Sequence, residues 1–102
     1  MVVTIDHVDA IPIGEGRAFA VGERRIAVFR NRKGELFATQ ASCPHRQGPL
    51  FDGLVGGSTV ICPLHGLRFD LATGCSSDPE LSLETYPVHV DEQGRVLVEL
   101  DS

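Results

Sequence analysis

Two short donor pairs limit what this chain can fold into: Cys43 and His45 in CPHRQGPL, then Cys62 and His65 in CPLHG. Thiolate and imidazole are the ligands that soft and borderline metals select, so four of them at such close spacings point to a metal site. The sixteen residues between His45 and Cys62 are enough for a strand and its return. Each pair can then occupy one loop tip, with a separate piece of sheet holding the two tips against each other.

Two readings of the four donors compete. A structural zinc site closes with four ligands, commonly spaced Cys-x2-4-Cys and His-x3-5-His. Here each pair mixes one Cys with one His, which suits a centre of two metals spanned by both loops, with cysteines on one metal and histidines on the other. CPHRQGPL followed by CPLHGLRFD resembles the Rieske-type [2Fe-2S] proteins, whose pattern is Cys-x-His, a spacer, then Cys-x-x-His-Gly. The resemblance implies that Cys43 and Cys62 hold the inner iron and that His45 and His65 hold the outer one, a ligand set that raises the potential above that of plant-type ferredoxins. It covers nearly the whole chain, and its strong part is the 43–70 region.

The residues around the donors suit such a centre. Backbone N–H groups that approach the cluster sulfurs tune it, and Gly48 and Gly66 permit close approach. Pro44 and Pro63 each follow a cysteine, where a fixed φ stiffens the loop. Ordinary turn chemistry would place the same residues there. Rieske proteins of the quinol-oxidising complexes carry two further cysteines that bridge the loops; the matching positions here are Gly48 and Leu64, so that bridge is not expected.

With 102 residues and 42% apolar composition, residues 1–102 are expected to form one small domain, near the size where an extra staple helps. No apolar run approaches a membrane span and the amino terminus lacks a secretory pattern, so no membrane association and a cytoplasmic location are expected. Three cysteines are too few for a secreted disulfide framework, and Cys75 is left as a free thiol. A net charge of −5 argues against nucleic acid and anionic lipid and for protein partners. Arg46 and Arg68 beside the donors either make the tip locally positive or pair with Asp52 and Asp70.

The fold expected is all-β: small antiparallel sheets with an inserted cluster-binding subdomain over 41–80, the Rieske-like arrangement. VVTIDHV reads as a strand and IPIGEG as a loop. RAFAV, GER and RIAVFR read as a hairpin extended by ELFATQ through the polar turn NRKGE, where Gly34 can take φ > 0. STVICP leads into the second donor pair and LRFDLATG leads out, with Asp70 and Gly74 as turn residues. Pro79 in the return segment matches a third covering loop of the family. YPVHV and RVLVEL flank DEQGR as a second hairpin in which Val88, Val90, Val96, Val98 and Leu100 alternate. His7 lies on a strand with no co-ligands nearby and stays outside the site, and His89 falls out of phase with the valines and is expected to face solvent.

A centre of this kind has no open coordination position, so the resemblance implies one-electron transfer rather than an enzyme, with the imidazoles outermost. Two partner sets follow: a flavin-dependent reductase and a terminal oxygenase for a stand-alone ferredoxin, or the large subunit of an assimilatory NAD(P)H nitrite reductase for a small subunit, which CPLHGLRFDLATG and ETYPV also resemble. A Rieske oxygenase would need a further domain with a 2-His-1-carboxylate iron site, and a zinc module for protein binding is the non-redox alternative. In high-potential family members a Ser and a Tyr after the second pair donate hydrogen bonds to cluster and ligand sulfur; Leu67 and Phe69 stand there in this chain. A redox titration is therefore expected to give a midpoint in the bottom quarter of the family's range of roughly −150 to +300 mV. That midpoint should fall at alkaline pH, because reduction tightens the second imidazole proton. A value near the top of the range would refute the hydrogen-bond argument, and a pH-independent one would refute exposed histidine ligation.

Overall fold

The computed structural model describes residues 1–42, 49–63, 66–78 and 80–100. Ten strands follow in chain order: β1 Val2–His7, β2 Glu15–Val21, β3 Arg24–Arg30, β4 Leu36–Gln40, β5 Leu54–Gly56, β6 Thr59–Ile61, β7 Arg68–Asp70, β8 Thr85–Tyr86, β9 Val88–Val90 and β10 Arg95–Glu99. They pair antiparallel in three sheets, ordered β1-β10-β9, β2-β3-β4-β8 and β5-β6-β7. Among the described residues the only helical pieces are two single 3-10 turns, at Val8–Ala10 and Leu50–Asp52, and no helix is long and apolar enough to cross a membrane.

β3 is the strand on which the two cores are built. Its run Ile26, Ala27, Val28, Phe29 is buried without a break, because alternate residues face opposite sides. Ala27 and Phe29 join a core with Val60, Phe69 and Leu83 from the inserted part of the chain. Ile26 and Val28 join a second core with Val96, Val98 and Leu100 from the terminal sheet. Burying a side chain of the size of Phe29 stabilises by roughly 2–3 kcal/mol, so β3 ties both flanking sheets to the meander.

The expected turns form. Gly22 and Glu23 make the two-residue connection of β2 to β3, with Gly22 at φ 61°, and Gly34 takes φ 83° in NRKGE. That second turn does more than reverse the chain. Asn31 is buried; its Oδ1 accepts from the N–H groups of Lys33 and Glu35 at 3.0 and 2.9 Å, and its Nδ2 donates to the Gly57 carbonyl at 3.1 Å. Gly57 lies in the β5–β6 turn, so the meander grips the small sheet at the end away from Cys62.

The terminal hairpin departs from simple alternation. β10 buries Val96 and Val98, but Val90 on β9 is 42% exposed. β9 is the edge of its sheet, and Val90 ends it, whereas Val88 on the same face packs against the second core. His7 and His89 are both exposed, and the His7 Nδ1 accepts from the Asp9 N–H at 3.1 Å.

Gly53 marks where the chain returning toward β5 presses against β6. A Cβ there would overlap the Ile61 carbonyl and lie 2.8 Å from Val60 Cγ2. Gly56, on the exposed strand β5, has open space around it. In urea titrations Gly53→Ala is expected to cost about 3 kcal/mol, whereas Gly56→Ala should stay within about 0.5 kcal/mol of the parent. Equal losses for the two would show that the close approach at Gly53 does not shape the fold.

Candidate metal centre

Both donor loops are built on hairpin bases. The first leaves β4 at Ala41, whose N–H donates to the Arg25 carbonyl at 3.3 Å. Ser42 bridges Pro49 in antiparallel fashion and the Leu50 N–H returns to the Ala41 carbonyl at 3.1 Å, so residues 43–48 depart from and return to one closed base. Beyond it, the Leu50–Asp52 turn is braced by Arg25, whose guanidinium lies 5.6 Å from the Phe51 ring centroid, a separation at which a cation is attracted to the ring face.

The second loop follows β6. The Cys62 N–H donates to the Leu67 carbonyl at 2.8 Å and its carbonyl accepts from the Gly66 N–H at 3.0 Å. Gly66 sits at φ 67°, in the left-handed region that a residue with a Cβ enters at a cost. The turn therefore closes tightly and hands the chain to β7. Cys62 is 1% exposed and packs in the same apolar core as Ala41 and Leu50. The bases of the two loops thus share one core although β4 and β6 belong to different sheets.

A strap over residues 75–84 joins the two bases. On the side of the second loop, the Asp70 N–H donates to the Cys75 carbonyl at 2.7 Å and the Ser77 N–H to the Arg68 carbonyl at 2.9 Å. On the side of the first, the Gln40 N–H donates to the Glu84 carbonyl at 3.0 Å. Ser76 Oγ pins the strap internally, lying 2.8 Å from the Leu81 carbonyl and accepting from the Asp78 N–H at 3.1 Å. Gly74, at φ 83°, passes so close to the Leu83 carbonyl that a Cβ would overlap it.

Of the four predicted donors, Cys62 is placed by this geometry. Cys43, His45 and His65 lie outside the described residues, as do Pro44, Arg46, Gly48, Leu64 and Pro79. Among the described residues no three His, Cys, Asp or Glu side chains converge. The described part of the site fits an iron–sulfur centre: both backbone groups of Cys62 are used in the loop base, which leaves its sulfur as a soft donor beside the base of the first loop. Cys62 and Cys75 are both free, and Cys75 is exposed on the strap, away from the core, as expected.

The positions after the second pair supply no hydroxyl. Phe69 is fully buried in the core and Leu67 packs against it. The hydroxyl of Tyr86 is engaged elsewhere, donating to Glu84 Oε2 at 2.9 Å. Asp70 serves as a turn residue, its Oδ1 accepting from the N–H groups of Ala72 and Thr73 at 2.8 and 3.1 Å. Arg68 is exposed and has no ion pair with a described residue; the ion pairs among those residues join His7 to Asp9, Arg17 to Glu15 and Arg95 to Asp91. Sequence reasoning missed Gln40, a half-buried amide between the first loop and the strap. The available signal was a long polar residue closing the apolar strand ELFAT just before the first donor pair.

Comparisons with known proteins agree with this architecture. Residues 1–87 match the family described as the Rieske [2Fe-2S] domain. The ferredoxin component of the naphthalene 1,2-dioxygenase/salicylate 5-hydroxylase systems of Ralstonia sp. is 34% identical over 95 residues, covering 91% of this chain and 89% of that protein. A 4beta-methylsterol monooxygenase of Methylococcus capsulatus is 40% identical over 74 residues, 62% of this chain but only 20% of that protein's length. Among solved structures, a proposed NADH-dependent nitrite reductase small subunit from Mycobacterium tuberculosis superposes with a TM-score of 0.91 at 25% identity, covering 100% of this chain and 96% of the other.

Proposed function

The chain belongs to the Rieske [2Fe-2S] domain family, and from that premise we propose that it is a ferredoxin passing single electrons from a flavin-dependent reductase to a terminal oxygenase. Cys43 and Cys62 hold the inner iron and His45 and His65 the outer one, within a cluster-binding subdomain over 41–80 of one domain. The observation that carries this reading is the closure of two hairpin bases onto one core, with the Cys62 thiol buried there. When bound, the [2Fe-2S] group supplies a one-electron acceptor and donor. The protein's own part is to hold the donors in place: the hairpin bases fix where each loop leaves its strand, and Phe69 and Leu67 back the second loop with apolar surface. The ferredoxin role of the Ralstonia relative supports the oxygenase partner. A cytoplasmic location accords with the free thiols.

The fold likeness to the nitrite reductase small subunit favours a second reading, an electron-transfer subunit docked on the large subunit of that enzyme. A structural zinc module would share the loop bases but not the redox chemistry. Protein purified without oxygen is expected to be brown-red, to contain iron and acid-labile sulfide at about two of each per chain, and to bleach partly with dithionite. Cys62→Ser should remove both iron and sulfide, and Cys75→Ser should retain them. A colourless protein with one zinc per chain, or a Cys62→Ser variant with full iron and sulfide, would overturn the assignment.

A further inference from the structure

Gln40 ends β4 three residues before the first donor, beside the strap at Glu84. Up to Thr39 the strands pair as a regular ladder, Ala38 with Tyr86 and Thr39 with Thr85. At the next pair the Gln40 N–H still donates to the Glu84 carbonyl at 3.0 Å, and the side-chain amide of Gln40 takes up the Glu84 N–H in place of a backbone carbonyl. Its Oε1 accepts from the Glu84 N–H at 2.9 Å and its Nε2 donates to the Ser42 carbonyl at 2.8 Å. Both partners are backbone groups of fixed polarity, which settles which end of the amide carries oxygen and which nitrogen.

The Ser42 carbonyl belongs to the peptide unit that joins Ser42 to Cys43. That unit is planar, so a hydrogen bond to its oxygen restrains the peptide from which the first donor loop starts. The other end of the amide holds the strap, which β7 anchors at Arg68 and Asp70, directly after the second loop. One side chain therefore connects the start of the first donor loop with the segment fastened to the exit of the second. The apolar core beneath can bring the loops together, but it is non-directional and cannot set their mutual orientation.

We propose that Gln40 is a positioning residue of the metal centre, fixing the first donor loop relative to the second through its paired hydrogen bonds to Ser42 and Glu84. This rests on the ligand assignment given above. Gln40→Leu removes both bonds; Gln40→Glu keeps an acceptor for the Glu84 N–H but sets a carboxylate against the Ser42 carbonyl. Asn31→Ala serves as the comparison, since it also removes a hydrogen-bonded amide, but at the end of the meander away from the loops.

In purified holoprotein, both Gln40 variants are expected to shift the g values of the reduced protein's electron paramagnetic resonance spectrum. They should also lose visible absorbance about tenfold faster than the parent, the factor that one or two net hydrogen bonds supply. Asn31→Ala is expected to lower the melting temperature while keeping the parent's g values and, at an equal interval below its own melting temperature, the parent's rate of absorbance loss. Parent-like g values and loss rate in Gln40→Leu would overturn the role of Gln40 alone, as would equal changes in Asn31→Ala. A parent protein without iron and sulfide would overturn the ligand assignment first, and this proposal with it.

Discussion

The bases of the two candidate donor loops share one core although they follow strands of different sheets, and no ladder of hydrogen bonds runs between β4 and β6. What joins them is apolar burial, together with the strap that bonds to both sides. Ala41 and Leu50 at the base of one loop and Cys62 at the base of the other pack in a single core with Phe69, Leu71 and Leu83. The same core takes Ala27 and Phe29 from one face of β3, while the opposite face of that strand packs on the terminal sheet. Loosening β3 would therefore disturb the loop bases even though none of its residues is a candidate ligand.

Apolar packing sets proximity, and polar pins set orientation. Asn31 fastens the tip of the small sheet to the meander, Gln40 links the first loop base to the strap, and Ser76 shapes the strap from within. Each is a polar side chain bonded to backbone groups, the arrangement that lets a half-buried polar atom keep its hydrogen bonds. An electron-transfer centre needs such pins because its donors must move little between redox states, and loops held only by packing would be free to shift.

The meander and the terminal hairpin were legible in the sequence because their turns carry local chemistry: Gly22 and Gly34 in the one and Gly94 in the other at positive φ, each between apolar-rich strands. The unbroken burial of Ile26 to Phe29 was legible only as an apolar run, since nothing local distinguishes a strand covered on both faces from one covered on one. Val90 shows the converse. Its period matches the core, but it ends the edge strand β9 and is 42% exposed, while Val88 two residues before it packs against the core. At the candidate site, Cys62 could be proposed as a donor because donor spacing is a local pattern; Gln40 and Asn31 could not be weighed, because their partners at Glu84 and Gly57 are distant in sequence.

On the function proposed, the burial of the two hairpin bases in one core serves a centre whose two irons have different ligands, sulfur alone on one and sulfur with two imidazoles on the other. Mössbauer spectroscopy of the oxidised, iron-enriched holoprotein tests this most directly. Two quadrupole doublets of equal area with distinct isomer shifts are expected. A single doublet, with both irons in the same ligand field, would contradict it.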